Sequence, residues 1–443
     1  DGIIGKDLCG IVAGDININA GSDGIKSTYD TDTTKGNVII EGGNITIKAS
    51  NDGIQAENIL VINDGTINIK TNNGAADTTQ THIDNMDMGR GGFGFNNNKT
   101  TTTTDDTSES RKGIKAGNML IINDGDITID SDDDSVHCNS VIYIYGGTIN
   151  AATGDDGVHA DDLLTVNGGT INITQCYEGL EADDIVINDG DISVVSSDDG
   201  INSSDGSITI NGGNLLINAS GDGLDANGSI IINGGYIVVL GPTSDGDTAI
   251  DYDDSCTING GTVMAFGSSG MLEIPKGASN GACIVTAFTS VSGGSKYTLS
   301  DSNGNEILSY TPSKAYAAAI VYSDKITTGN TYNITAGSTT LSIEVTSDVT
   351  SNVSSGFGGA GGMNKPGNGG SGMPNNGSSD NGMNGNSNGS MPDMSGNGAP
   401  DMNGNSSGDM PSMGGNSSNN SGNMPNMNNG SSNVNAPQMN NRM

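Results

Sequence analysis

Residues 154–162 read Gly154-Asp155-Asp156-Gly157-Val158-His159-Ala160-Asp161-Asp162, and variants of this phrase return along the chain at a nearly fixed interval. One step earlier stands Asp132-Asp133-Asp134-Ser135-Val136-His137-Cys138. Later steps give Tyr177-Glu178-Gly179-Leu180-Glu181-Ala182, Asp198-Asp199-Gly200-Ile201-Asn202-Ser203 and Gly221-Asp222-Gly223-Leu224-Asp225-Ala226. Upstream lie Asp23-Gly24-Ile25-Lys26-Ser27, Asn51-Asp52-Gly53-Ile54-Gln55-Ala56 and Arg111-Lys112-Gly113-Ile114-Lys115-Ala116. Counted from Gly113 and passing through Ser135, the steps are 22, 22, 22, 21 and 23 residues. A second phrase keeps the same step, as Asn123-Asp124-Gly125, Tyr145-Gly146-Gly147, Asn167-Gly168-Gly169, Asn188-Asp189-Gly190, Asn211-Gly212-Gly213, Asn233-Gly234-Gly235 and Asn259-Gly260-Gly261. Two turn signals at one shared period define a single supersecondary unit copied along the chain.

Between the turns, short runs such as Leu163-Leu164-Thr165-Val166 and Thr170-Ile171-Asn172-Ile173-Thr174 alternate apolar and polar residues. Period-two alternation bounded by glycine reads as strand. Strands at a constant step of about 22 residues predict an all-β chain folded as a parallel β-helix, one coil per repeat. Its hand is expected to be right, by analogy with the usual parallel crossover. Ten coils at about 4.8 Å each would stack to roughly 50 Å. Ile171 and Ile173 should point inward, with Ile127 and Ile129, Ile192 and Val194, and Leu215 and Ile217 as equivalents. So should the residue after the motif glycine: Ile54, Val158, Leu180, Ile201 and Leu224. Thr170, Asn172 and Thr174 should point out, and the recurrent turn asparagines should stack into an amide ladder.

Composition agrees with a stacked rather than a globular core. The 443 residues include 70 glycines, five phenylalanines and no tryptophan. A net charge of -36 argues against nucleic acid and anionic membrane surfaces and favours cations, or anionic partners reached through cations. No apolar run is long enough to cross a membrane, and a monomer is expected. The five cysteines form no CxxC and read as small buried residues, Cys138 standing where other coils have Ala160 and Ala182. Gly2 lies 22 residues before Gly24, so the chain begins inside a repeat. Upstream sequence, with any export signal, is therefore expected to be missing, and an extracellular or cell-surface protein is expected.

Residues 1–268 carry the repeat, interrupted by 74–110, a polar, glycine-rich stretch that reads as a disordered loop and includes Phe93 and Phe95. Near its end the outward positions turn apolar: Tyr236, Val238, Leu240, Met264 and Phe266. Such a face should be covered, and residues 269–346 read as a small β cap able to do so. Residues 347–443, rich in Asn, Gly, Ser, Met and Pro, read as a low-complexity disordered tail.

The acidic motif defines two outward rows. One precedes the glycine (Asp134, Asp156, Glu178, Asp199, Asp222) and the other lies two residues beyond it (His137, His159, Glu181, Asn202, Asp225). Equivalent residues on successive coils sit about 5 Å apart, which sets like charges side by side. Between residues 116 and 275 there are 27 acidic residues and no Lys or Arg, so no internal offset is visible there. Oxygen-rich clusters of fixed spacing suit calcium, which takes six to eight oxygen ligands. The candidate Ca2+ ligands are Asp133, Asp134, Asp155, Asp156, His159, Asp161, Glu178, Glu181, Asp183, Asp198, Asp199, Asn202, Asp222, Asp225 and Asp251. A solvated acidic surface and, through His137 and His159, a transition-metal site are the alternatives.

The order and spacing of Lys112-Gly113-Ile114-Lys115-Ala116, Asp155 to Asp161, Tyr177 to Glu181, Asp198 to Asn202, Gly241-Pro242-Thr243, Ala249-Ile250-Asp251-Tyr252-Asp253, Gly267-Ser268-Ser269-Gly270-Met271 and Asp301-Ser302-Asn303-Gly304-Asn305 closely resemble a bacterial family of carbohydrate-binding β-helix proteins. That family is common in clostridia and related to family 9 polysaccharide lyases, and the resemblance spans about residues 1–336. It implies a right-handed β-helix, bound calcium, and attachment to plant cell-wall polysaccharide, both cellulose and pectic acid. The related lyases use an Asp-Asp-Gly-x-Asp calcium cluster and a lysine base from a later coil. The cluster maps onto Asp155, Asp156 and His159 with Asp133, so histidine replaces the last acid. No Lys or Arg follows on later coils before Lys276, and Lys115 or Lys26, on earlier coils, would have to serve as base.

Three functions compete on this reading. The first is a non-catalytic module in which calcium bridges uronate carboxylates, with Thr170, Asn172 and Thr174 bonding sugar hydroxyls. The others are a calcium-dependent pectate-type lyase and a structural surface adhesin. The lack of tryptophan weakens the aromatic-platform route to cellulose and favours pectic acid.

Overall fold

The alternating runs give three short strands per coil, with two of the bends at the glycine phrases and the third between the first and second strands, as at Glu57-Asn58 and Asn139-Ser140. In the computed structural model, which describes residues 1–76 and 110–353, these strands stack in three parallel columns. The described residues lie within one unit, Asp1–Pro366; a second, Gly367–Met443, lies outside them. The first column starts with Ile3–Gly5 and Ile25–Ser27, the second with Leu8–Ile11 and Asn37–Ile40, the third with Asp15–Ala20 and Asn44–Ala49. The third column continues to Thr262–Gly267, with register shifts where Thr170–Cys176 meets its neighbours. The expected parallel β-helix is therefore the fold. Phe93, Phe95 and the rest of 77–109, part of the expected loop, lie outside the described residues, as does the expected tail from 354.

Inward positions match the sequence reading. Ile127, Ile149, Ile171, Ile192, Leu215, Ile237 and Val263 follow one another in register and are buried. Ile54, Val158, Leu180, Ile201 and Leu224 are fully buried too. All five cysteines are buried and free.

The motif glycine has a steric cause. A Cβ on Gly157 would lie 2.4 Å from Ile173 Cδ1 and 2.5 Å from the Gly179 carbonyl oxygen of the next coil. Gly113 meets Ile129, Gly200 meets Ile217 and Gly223 meets Val239 in the same way. Two coils carry Ser135 and Ala249 instead of glycine. In both, the position that holds Ile or Val in the neighbouring coils is an alanine, Ala151 and Ala265. The corner is thus filled by a pair, either glycine with a branched side chain or a small side chain with alanine.

The amide ladder runs along the second turn in two lengths. Asn123 donates to Asn63 at 2.7 Å and Asn63 to Glu41 at 2.9 Å. Asn188, Asn211, Asn233 and Asn259 each donate to the asparagine one coil earlier, at 2.8–3.0 Å, beginning at Asn167. Between the two lengths stands Tyr145, 52% exposed. Tyr145→Asn is expected to join them and to stabilise the protein by roughly 0.5–1 kcal/mol, read as a higher midpoint in urea unfolding. An unchanged or lower midpoint would show that the exposed ladder adds nothing to stability.

At the C-terminal end the strand Tyr316–Ser323 pairs antiparallel with Thr262–Gly267, and Ala282–Val291 pairs antiparallel with it in turn. A four-stranded antiparallel sheet, in the order Glu306–Tyr310, Tyr297–Asp301, Thr331–Ala336, Thr339–Glu344, covers the apolar outer face. Val238, Leu240, Met264 and Phe266 are buried there among Tyr297, Leu299, Tyr316 and Ile334. Residues 349–351, which the sequence reading assigns to the tail, instead form a strand beside Cys283–Val285. Val349 and Val353 pack on the core there, so apolar side chains hold this segment despite its polar surroundings in sequence.

Candidate functional site

The corner between the third and first columns gathers the acidic motif. The row before the glycine does not project into solvent as the alternation suggests: Asp134 is 1% exposed and Asp156 6%. The aspartates of the row turn along the stack and accept the backbone N–H of the equivalent residue one coil on, whereas Glu178 accepts the Asn202 side-chain amide. Asp52 accepts from Lys112 at 2.8 Å, Asp134 from Asp156 at 3.1 Å, Asp156 from Glu178 at 3.1 Å, Asp199 from Asp222 at 2.6 Å and Asp222 from Thr248 at 2.5 Å. Charge-assisted bonds to backbone N–H groups are stronger than neutral ones, and they give this row a structural role that periodicity alone does not reveal.

The second correction concerns charge. Lys112 occupies the acidic row itself, directly before Gly113, and reaches Asp133 at 2.7 Å and Asp134 at 2.5 Å. Arg111 pairs with Asp132 at 2.7 Å. An internal offset for the first acidic coils therefore exists, just upstream of the cation-free span. The signal was present, since Lys112 aligns with Asp52 and Asp134 on the motif glycine. Burial alone would lower the Lys112 ammonium and raise the Asp134 carboxyl. Burial is outweighed only by the partners together: Asp134 and Asp133 raise Lys112 above the usual lysine range, and Lys112, His137 and His159 hold Asp134 well below the usual carboxylate range.

The second row, in register along the first column, reads Lys26, Gln55, Lys115, His137, His159, Glu181, Asn202, Asp225, Asp251. Its charge passes from cationic to acidic along the stack, with the two histidines between. His159 Nδ1 lies 3.2 Å from Glu181 and 3.3 Å from Asp156, and its ring meets His137 edge-on at 4.9 Å. Burial would depress this imidazole, but the bond to Asp156 and the charges of Asp134 and Glu181 raise it to about 10. Lys115 Nζ bonds to Ser110 Oγ at 3.2 Å, and Lys26 to Asp23 at 2.9 Å.

Among the described residues, no cation acts on Asp199, Asp222 or Asp225. Asp199, Asp222 and Asp225 bring one carboxylate oxygen each within 4.8 Å of one another. Burial first, then like charges, push them up to about 8, 9 and 7. Glu178 rises to about 9 for the same reasons, while its carboxylate accepts from the Asn202 amide at 2.9 Å. Gly221 matters here: a Cβ would lie 2.4 Å from oxygens of both Asp198 and Asp199, so those carboxylates use the space a side chain would fill. Asp251 lies beside Asp225 in register and helps to raise it.

Other candidates fall elsewhere. Asp133, Asp134 and Asp155 converge, but around the Lys112 ammonium. Asp161 is half exposed, 3.6 Å from His159 Nε2. Asp183 accepts the Ser204 hydroxyl at 3.1 Å. Thr170 and Thr174 are exposed and Asn172 half-buried on the outer face of the third column. There the Asn172 amide reaches Asn150 at 3.4 Å and the Thr174 hydroxyl bonds to the Ala151 carbonyl at 3.2 Å.

The donor set at Asp199, Asp222 and Asp225 is all oxygen, half-buried and without a counter-charge, which fits a hard cation of the calcium type. The set at Asp133, Asp134 and Asp155 fits one less well, because an ammonium is already hydrogen-bonded there. Comparison with known proteins gives no match among curated proteins and none among solved structures. A family model described as carbohydrate-binding domain-containing protein matches residues 1–157 and again 155–356.

Proposed function

The chain belongs to the carbohydrate-binding domain-containing protein family, and on that basis we propose that it binds an acidic cell-wall polysaccharide of the pectic type, outside the cell, through calcium ions held on the acidic corner. The observation that carries the calcium part is the Asp199, Asp222 and Asp225 group, three converging carboxylates with no cation among them. Asp198, Asn202 and Asp251 would complete its oxygen supply. Bound calcium would keep open positions toward the solvent side and bridge to uronate carboxylates. The exposed threonines of the third column, Thr170 and Thr174, would bond sugar hydroxyls beside it.

A lyase reading is less well supported. Elimination needs a base within hydrogen-bond reach of the proton it removes. Lys115 lies five coils from Asp225 along the same row, about 24 Å at the coil spacing. Lys112 is nearer the first acidic cluster but is engaged by Asp133 and Asp134.

The test is retention on insoluble polygalacturonate, with cellulose in parallel, in calcium and then in EDTA. Retention on polygalacturonate is expected in calcium and absent in EDTA, and Asp199→Asn/Asp222→Asn is expected to weaken it at least tenfold. Retention indifferent to EDTA and to the double substitution would overturn the calcium reading. Retention on neither polymer would overturn polysaccharide binding by this chain.

A further inference from the structure

The four-stranded sheet buries Val238, Leu240, Met264 and Phe266 but stops short of Tyr236, whose side chain stays 44% exposed. Beside it the sheet and the last coils leave between them an open cleft of about 460 Å³. Tyr236 and Met264 contribute from the coils, Ile307 and Ser309 from one side of the cap, and Asp324 and Lys325 from the other. Small-molecule clefts span about 300–1,000 Å³ and combine apolar walls with a few convergent polar groups, and this cavity has both.

Its chemistry is that of a sugar ring. A pyranose presents C–H faces and a rim of hydroxyls. Tyr236 and Ile307 offer the apolar and aromatic surface, while Ser309, whose hydroxyl donates to Glu306, and Asp324, which accepts from Ser323, keep acceptor positions for sugar hydroxyls. The Lys325 ammonium has no ion-pair or hydrogen-bond partner among the described residues. In a chain of net charge -36, an uncommitted cation beside an exposed aromatic ring favours a ring that carries a carboxylate.

We propose that this cavity is a metal-independent pyranose subsite, with Tyr236 stacking on the ring, Ser309 and Asp324 bonding its hydroxyls, and Lys325 selecting a uronate. The proposal rests on the carbohydrate-binding reading but not on calcium, since no residue of the cavity belongs to the acidic corner.

Calorimetric titration of the full chain with tetragalacturonate and with cellotetraose, both in EDTA, tests it. Binding of both is expected, tighter for tetragalacturonate. Tyr236→Ala should weaken both about tenfold, and Tyr236→Phe should retain most of the affinity. Lys325→Ala should abolish the preference for tetragalacturonate and leave cellotetraose unchanged. Tyr236 and Lys325 lie at the surface, so unfolding temperatures should match the parent protein. No binding of either tetrasaccharide in EDTA, or Tyr236→Ala indistinguishable from the parent, would overturn the subsite. Loss of calcium-dependent retention with Tyr236-dependent tetrasaccharide binding intact would sink the calcium reading alone.

Discussion

Ala151→Ile is expected to destabilise the protein by about 1–3 kcal/mol, the usual cost of overpacking a filled core. In thermal unfolding this should appear as a midpoint lower by roughly 5 °C. Most coils carry isoleucine or valine at this position, so the substitution follows the consensus of the repeat and still should fail. Its coil has Ser135 where the others have glycine, and the space that Ile173 fills beside Gly157 is there taken by the serine side chain. Combining Ala151→Ile with Ser135→Gly should bring the midpoint back close to that of the parent, because it restores the arrangement of Gly157 with Ile173. Residues in contact show coupling of about 0.5–3 kcal/mol in such cycles. Additive effects, with the double variant no better than Ala151→Ile alone, would show that the pairing has no energetic content.

Freed of divalent cations, the protein is expected to lose stability as the pH rises from about 4 to about 9. Asp199, Asp222 and Asp225 titrate near 8, 9 and 7 in the fold, against about 3.9 when unfolded. Between these limits the folded chain holds protons that the unfolded chain has released. Unfolding free energy therefore falls with pH, by ~1.4 kcal/mol per pH unit for each such proton. His159, raised to about 10, adds in the same direction above its unfolded value of about 6.5. A cation at the three aspartates would favour the ionised forms, so calcium should raise the unfolding temperature by an increment that grows with pH. Unfolding temperatures between pH 5 and pH 9, in EDTA and in millimolar calcium, decide the matter. Stability that rises with pH in EDTA would contradict the burial argument, and an increment independent of pH would place the calcium elsewhere. Asp199→Asn/Asp222→Asn should flatten both responses.

Much of this architecture can be read from the chain because a stacked coil repeats its own solution. Once the step of about 22 residues is seen, the inward isoleucines and the asparagine ladder follow from alternation and turn chemistry. What escapes is whatever depends on direction within the corner. Periodicity marks Asp134 and Asp156 as equivalent, but it does not say that their carboxylates turn along the stack to accept the next N–H. Lys112 escapes for a related reason. Its sequence neighbours suggest a surface lysine, and only its alignment on Gly113 reveals a cation within an acidic row. The cap is legible as strands and as a cover for Val238 and Met264. Its antiparallel entry through Tyr316–Ser323 is not, because that pairing joins residues more than fifty positions apart and leaves no periodic mark.

The corner pair also determines how the chain can be recombined. Ser135 and Ala151 are separated by sixteen residues, and the next motif glycine, Gly157, lies six residues further on. A crossover placed in that short stretch, near Thr153 or Gly154, would transfer both members of a pair together. One placed between 135 and 151 would join the corner of one coil to the filler of another. Grafts, deletions and duplications of whole coils should therefore tolerate the first boundary and fail at the second, although both preserve length and reading of the repeat.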